Sequence, residues 1–153
     1  MNRFFDVSGD VSLQLAPWQL EAMGKPVKTA LFVLQLSLRF RSDIAGGVIV
    51  VPNGYISDLA SVPQFAWSIF MASDDPRIEL GGWVHDLLYQ YRGVVTLEGG
   101  QKTALSRKQA DTILAYEAMP ELLATGLQCT AVYQALRRFG QHWEGDSFWE
   151  RFS

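Results

Sequence analysis

The sequence predicts an α+β domain in which a small N-terminal antiparallel β-sheet packs against three to four C-terminal helices. Apolar and polar residues alternate over 31–41, which is the pattern of a half-buried strand. After residue 60 the apolar residues recur at helical spacing instead. Two Ser-x-x-Gln capping boxes, at Ser61 and Ser106, mark helix starts in this second half. A length of 153 residues fits a single domain over 1–153.

The predicted sheet is built around a β-hairpin near 31–51. Residues 48–51 form its second, buried strand, and residues 42–47 supply the turn. Weaker strand patterns occur at 3–7 and 11–15. The apolar side chains of the first hairpin strand share one face and are Phe32, Leu34, Leu36, Leu38 and Phe40.

Helices are predicted over about 61–70, 77–91, 106–119 and 122–139. Gly81 and Gly82 each cost roughly 1 kcal/mol in a helix relative to Ala, so we expect close packing around them. Pro120 should end the third helix, because proline lacks the N–H group that a helix interior uses. On the last helix, the residues that recur at helical spacing and should form its packed face are Leu127, Ala131, Ala135 and Phe139. The Gly-rich stretch 93–103 is predicted to be a loop or a small hairpin.

The two ends of the chain, residues 1–30 and 141–153, are candidate docking extensions. Within the first of them, residues 17–26 are predicted to form a loop or a short helix. The last segment carries four large aromatic side chains: Trp143, Phe148, Trp149 and Phe152. That content is too aromatic for a solvated tail, so we expect the segment to pack back on the domain or to dock on a neighbour.

Composition argues against several functional classes. The net charge is -3 and no run of Lys or Arg occurs, so nucleic acid is not an expected partner. No apolar stretch is long enough to span a membrane and no signal peptide is visible, which predicts synthesis in the cytoplasm. The single cysteine, Cys129, fits a reducing compartment and a small buried side chain. Motifs of nucleotide-binding loops, serine hydrolases and His-Glu-x-x-His metalloproteases do not occur.

Four ionisable residues lie in apolar or small-residue surroundings: Asp58, His85, Asp86 and Asp111. Asp111 lies on or beside the packed face of its helix, where an unpaired charge costs several kcal/mol, so it needs a cation, a metal or several donors. Asp58 lies on a loop before a capped helix, which is a common place for site residues. Structural interpretations are also open: His85 as a packed histidine, Asp58 as a turn or cap residue, and Asp111 as a first-turn carboxylate favoured by the helix dipole.

As a set, Asp58, His85 and Asp111 fit the ligands of a divalent metal, most simply zinc, with a position left open for water. Such a metal lowers the pKa of its bound water and polarises a carbonyl or phosphoryl oxygen. Asp86 would then orient His85 or act as a fourth ligand, and Tyr89 would donate to an oxyanion. The alternative is a buried polar network without a metal, in which Tyr89 is a core residue.

Two further residues bear on this choice. Glu117 would act as a base if it faced the site, and is otherwise solvated or cross-links the fold. His142 lies in the aromatic tail and would become a second histidine ligand only if the tail folds back.

These segments resemble a family of phage and prophage proteins known as domain of unknown function 1353. The matching segments are Val51-Pro-Asn-Gly-Tyr55, Ser57-Asp-Leu-Ala-Ser-Val-Pro63, His85-Asp-Leu-Leu-Tyr89, Arg107-Lys-Gln-Ala-Asp111, and 133–140 with Trp143. The resemblance covers about residues 30–143. One departure is Ser57, where the family usually has Thr.

The resemblance implies a phage origin, and its motifs are centred on the four ionisable residues as one site. One hypothesis is a metal-dependent hydrolase of the virion tail or baseplate that acts on the bacterial cell envelope. It would be made in the host cytoplasm and would be a peptidase or amidase rather than a nuclease. The other hypothesis is a non-enzymatic structural or interaction protein of the phage tail or baseplate. Its partners would be other phage structural proteins, and its Asp/His cluster would be a buried network.

Overall fold

The computed structural model describes residues 3–5, 12–25, 31–57, 79–121 and 125–139, and it confirms the α+β class. In chain order the elements are β1 (Ser12–Gln14), α1 (Pro17–Ala22), β2 (Phe32–Leu34), β3 (Leu38–Ser42), β4 (Gly47–Val51), β5 (Ile56–Ser57), α2 (Leu80–Gln90), β6 (Val94–Thr96), β7 (Lys102–Ala104), α3 (Arg107–Thr112), a π-helix (Ile113–Ala118), α4 (Met119–Glu121) and α5 (Gly126–Phe139). Among these elements, no helix is both long and apolar enough to cross a membrane.

The predicted hairpin is confirmed for β3 and β4, which pair antiparallel from Leu38 with Val51 to Ser42 with Gly47. The single strand predicted over 31–41 is wrong, because β2 and β3 belong to different sheets. The chain that leaves β4 turns back and gives β2 a new neighbour: the Gly54 N–H donates to the Leu34 carbonyl at 2.8 Å. The period-two pattern survives this break, since Leu34 and Leu38 are both fully buried.

Two further sets of strands extend the sheet region. β1, β2 and β5 form a three-stranded antiparallel sheet, which uses the weak strand pattern predicted at 11–15. β6 and β7 form the small hairpin predicted as one alternative for 93–103. This hairpin attaches to β4 through a bridge between Ile49 and Leu97 and a 2.8 Å bond from the Glu98 N–H to the Val48 carbonyl.

Helix α2 confirms the helix predicted over 77–91 and lies inside the domain. Every residue from Leu80 to Tyr89 is buried, including Gly81 and Gly82. The apolar residues of α2 join those of the sheets and the other helices in one core, among them Leu34, Phe40, Ile49, Trp83, Leu88, Leu114 and Leu136. Polar side chains within this buried stretch have little or no access to water, so each of them needs a partner within the protein.

The second capping box is confirmed. The Ser106 Oγ accepts from the Gln109 N–H at 3.0 Å, and the Gln109 Oε1 accepts from the Ser106 N–H at 2.9 Å. The predicted stop at Pro120 is wrong, because the helix passes through Pro120 to Glu121. A π-helix lies immediately before that proline. Its wider turn gives room to the Tyr116 carbonyl, which a proline ring four residues later would otherwise crowd.

The last helix begins at Gly126 rather than at residue 122, and its packed face differs from the predicted one. Thr125 and Gln128 form a further capping pair, with bonds of 2.9 and 3.2 Å. Leu127 is 81% exposed, whereas Ala135 is buried as predicted. The apolar residues that face the core are Cys129, Val132, Ala135 and Leu136. Cys129 is therefore a buried thiol as expected, and burial raises the pKa of its thiol.

Several predicted features fall outside the described part of the chain. They are Asp58, the helix expected over 61–70, His142 and the aromatic segment 141–153. Of residues 1–30, the structure describes 3–5 and 12–25. The short helix α1 confirms one alternative for 17–26.

Gly93 provides a test of the junction between α2 and β6. Its φ is +79°, and a Cβ there would collide with the backbone of Leu105. Gly99 also has a positive φ, +97°, but a Cβ there would meet nothing. Gly99→Ala should cost roughly 1–2 kcal/mol from the left-handed backbone alone. Gly93→Ala should cost about 2 kcal/mol more, because overpacking is added to the same strain. Urea unfolding of both variants checks this difference, and equal losses would contradict it.

Candidate functional site

Helix α2 places three of the predicted site residues in the protein interior. His85 and Tyr89 are four residues apart and so share one helix face, with ring centroids 4.2 Å apart. Asp86 is the next residue along from His85 and therefore lies about 100° round the helix axis. The two adjacent ionisable residues consequently enter two different polar clusters.

The first cluster, the Asp111 network, consists of His85, Tyr89, Asp111 and Arg137. The Asp111 Oδ1 accepts from the His85 Nε2 at 2.9 Å and from the Tyr89 hydroxyl at 2.5 Å. The Asp111 Oδ2 accepts from the Arg137 Nη1 at 2.9 Å. Asp111 and His85 are both 0% exposed. The network joins α2, α3 and α5 around one buried carboxylate.

The electrostatics of the network keep Asp111 ionised and Tyr89 neutral. Burial acts to raise the pKa of Asp111, but the hydrogen bond and charge of His85 and the bonds from Tyr89 and Arg137 outweigh it, so the pKa is lowered. Burial and the adjacent Asp111 charge raise the pKa of Tyr89 far above its ordinary value. Because a carboxylate only accepts, the His85 Nε2 carries a proton and donates it to the hydrogen bond with Asp111. The Tyr89 proton is likewise directed at Asp111.

A second arginine, Arg107 at the start of α3, reaches the C-terminal end of α5. Its side chain is fully buried, and its Nη2 donates to the Leu136 carbonyl at 2.8 Å. The last carbonyls of a helix have no partner within the helix, so Arg107 caps α5. Sequence reasoning missed the roles of both arginines. A signal existed for Arg107, because a cation in the first turn of a helix opposes the dipole.

The second cluster, the Asp86 cluster, consists of Tyr55, Ser57, Asp86 and Gln90. The Asp86 Oδ2 accepts from the Tyr55 hydroxyl at 3.2 Å and from the Ser57 hydroxyl. The Tyr55 hydroxyl also contacts the Gln90 side chain. Asp86 thus ties α2 to β5 and the residue before it. These contacts differ from the roles expected of Asp86, which were to orient His85 or to share a ligand set with it.

Glu117 belongs to neither cluster. Its carboxylate accepts from the Ser42 hydroxyl at 2.6 Å and from the Asp43 N–H at 2.8 Å, and it pairs with Arg3 at 3.1 Å. These bonds hold the turn of the β3–β4 hairpin against the π-helix. The cross-linking interpretation of Glu117 is therefore confirmed.

The predicted ligand set is brought together only in part. His85 and Asp111 meet directly, whereas Asp58 lies beyond the described residues and directly follows Ser57 of the Asp86 cluster. No group of three or more His, Cys, Asp or Glu side chains within residues 3–5, 12–25, 31–57, 79–121 and 125–139 is placed to hold a metal. The donor set also fits a cation poorly, because both oxygens of Asp111 already accept and one of their donors is a guanidinium.

Asp111→Asn tests the energetic weight of the network. The substitution leaves Arg137 buried without its anionic partner, so we expect a loss of roughly 3–5 kcal/mol in the free energy of unfolding at neutral pH. Asp43→Asn is the matched control, since Asp43 is 66% exposed and pairs with Arg3 at the surface, and it should cost less than about 1 kcal/mol. Urea unfolding followed by circular dichroism measures both. A loss below that of the control for Asp111→Asn would contradict this account.

The same carboxylate predicts a pH dependence. The pKa of Asp111 is lower in the folded protein than its ordinary value of 3.8, so its stabilisation is present above pH 3.8. This stabilisation is lost as the pH falls through the folded pKa of Asp111. A folded Asp111→Asn variant should lack this part of the pH dependence of the free energy of unfolding.

Neither a curated protein nor a solved structure is similar enough to this chain to count as a match. The family described as "Protein of unknown function (DUF1353)" matches residues 32–136, which is more than half of the chain and contains both polar clusters except for Arg137. The chain belongs to the DUF1353 family.

Proposed function

We propose that this chain is a non-enzymatic structural or interaction protein, and that its Asp/His cluster is a buried network that fixes the fold. The observation that carries the proposal is the saturation of Asp111. Its Oδ1 accepts from two side chains and its Oδ2 from a third, and its exposure is 0%. Such a group stabilises a unique arrangement of helices and has no access to a substrate in solution.

The same contacts argue against Asp111 as a metal ligand. A metal at its Oδ1 would replace the bonds from His85 and Tyr89, and the His85 Nε2 cannot offer a lone pair while it donates a proton. A metal at its Oδ2 would lie against the positive guanidinium of Arg137. Tyr89 already donates its hydroxyl proton to a hydrogen bond with Asp111, so that proton is not directed at an oxyanion.

An exposed apolar surface supports the interaction role. Leu13, Val33 and Ile56 lie side by side across β1, β2 and β5, because the strand register pairs Leu13 with Val33 and Val33 with Ile56. Leu13 and Ile56 are 52% and 38% exposed, whereas Val33 between them is partly buried. Trp18 on α1 is 70% exposed. Large apolar side chains in solvent are typical of surfaces that dock on another protein.

The resemblance to phage and prophage proteins supplies the setting of the proposal. We propose that the partners are other structural proteins of the phage tail or baseplate. The chain would be made in the host cytoplasm and incorporated into the virion.

A second candidate is the metal-dependent hydrolase that acts on the cell envelope. One observation favours it: His85 and Asp111 are in contact, and Ser57, which directly precedes Asp58, bonds to Asp86 on the same helix as His85. Asp58 would then complete a zinc site with His85 and Asp111, and Asp86 and Tyr89 would flank it.

Metal content distinguishes the two candidates. The purified protein is incubated with zinc, dialysed and analysed by plasma mass spectrometry, alongside Asp58→Asn and His85→Asn. The network proposal predicts far less than one zinc per chain in all three proteins. It also predicts that His85→Asn loses about 1.5–3 kcal/mol of stability, because a bond to a charged group is removed. Near-stoichiometric zinc that is lost in both folded variants, with release of fragments from purified cell walls, would favour the hydrolase instead.

The docking surface is tested by photo-crosslinking in bacteria that produce the phage. A photoreactive residue is placed at position 13 or 18, and at position 127 as a control, since Leu127 is 81% exposed but lies on α5. We expect an adduct of defined mass with a phage structural protein at positions 13 and 18, and none at 127. Equal labelling at all three positions, or no adduct at 13 and 18, would count against the proposed surface.

A further inference from the structure

A short extended segment, residues 3–5, lies along the outer edge of β3; we call it the N-terminal arm. The Arg41 N–H donates to the Arg3 carbonyl at 2.8 Å, and the Phe5 N–H donates to the Arg39 carbonyl at 3.3 Å. Phe4 forms an antiparallel bridge with Phe40. The arm therefore adds a strand to the edge of β3 that β4 leaves open, as a bound peptide does in β-augmentation.

Each side chain of the arm has its own place on this edge. Phe4 is buried, with its ring centroid 4.8 Å from that of Phe40. The Arg3 guanidinium lies 3.1 Å from a carboxylate oxygen of Glu117 and 3.1 Å from one of Asp43.

The third arm residue has cationic neighbours. The Phe5 ring faces the guanidinium groups of Arg39 and Arg41, 4.9 and 5.3 Å from the ring centroid. The edge of β3 thus recognises a sequence of one basic and two aromatic residues by an acidic, an apolar and a cationic contact in turn.

These interactions depend on the arm and not on how it is connected to the rest of the chain. The hydrogen bonds, ion pairs and ring contacts described above join the arm to residues 39–43 and to Glu117, and the Arg3 N–H adds one to Glu121 at 2.7 Å. The arm of another copy would make the same contacts, so exchange between copies changes few interactions and costs mainly association entropy.

We propose that the edge of β3 is a strand-docking site for the N-terminal arm of a second copy, so that the chain forms dimers by exchanging arms. The exchange is symmetric, because each copy offers the same arm and the same edge. This proposal is independent of the function proposed above, since it concerns the edge of β3 and involves neither the polar clusters nor the exposed side chains of Leu13, Ile56 and Trp18.

The test is the mass of the protein after refolding at increasing concentration, measured by light scattering on a sizing column. We expect a dimer whose fraction rises with the refolding concentration and that is lost in Arg3→Glu, which opposes Glu117 and Asp43. Lys102→Glu is the matched control, because it makes the same change of charge at an exposed position on β7 and should keep the dimer. A monomer at every concentration, or a dimer that persists in Arg3→Glu, would overturn the proposal.

A second measurement isolates the docking step. A chain that lacks residues 2–5 should be monomeric and should bind a fluorescent peptide of residues 1–8, measured by anisotropy. The same peptide with Phe4→Ala should bind roughly tenfold or more weakly, since it loses a buried aromatic contact. If the truncated chain does not fold, the intact dimer is challenged with excess peptide, which should dissociate it. Equal binding of the two peptides, or a dimer that resists the excess, would exclude arm exchange.

Discussion

The fold depends on one buried negative charge. Asp111 lies between three helices with no exposure to water, so its ionised form requires compensation from the protein itself. His85 and Tyr89 come from α2 and Arg137 from α5, while Asp111 is on α3. The three helices can therefore pack in only one mutual arrangement without leaving that charge unpaired. Replacing one partner leaves the others buried and unsatisfied, which makes the network sensitive to single substitutions.

Two other carboxylates connect this helical centre to the sheets. Asp86 takes its bonds from Tyr55 and Ser57, at the point where the chain enters β5. Glu117 takes its bonds from the turn of the β3–β4 hairpin and from Arg3. The hairpin, the N-terminal arm and the π-helix consequently meet at one carboxylate. Asp111, Asp86 and Glu117 thus each join elements that are remote from one another in the sequence.

The β3–β4 hairpin and the start of α3 could be predicted because local signals set them. Ser106 and Gln109 form the capping box that their spacing indicated, and Leu34, Leu38 and Phe40 are buried as the alternation required. The prediction failed where a neighbour remote in sequence decided the outcome. β2 pairs with β1 and β5 instead of continuing into β3, and α5 buries Cys129 and Val132 instead of Leu127. Neither choice has a local cause, since each depends on which surface packs against the element.

For the candidate site, the sequence by itself determined that His85, Asp86 and Asp111 occupy apolar surroundings and therefore need partners. Helical periodicity is enough to establish that, because it places each residue relative to its own neighbours. Only the tertiary structure decided which groups are the hydrogen-bond and ion-pair partners of these residues. It separated Asp86 from His85 and brought Arg137 to Asp111 across 26 positions of sequence. A charge can be compensated by a metal, by an arginine or by several donors, and the packing of α2, α3 and α5 selects among them.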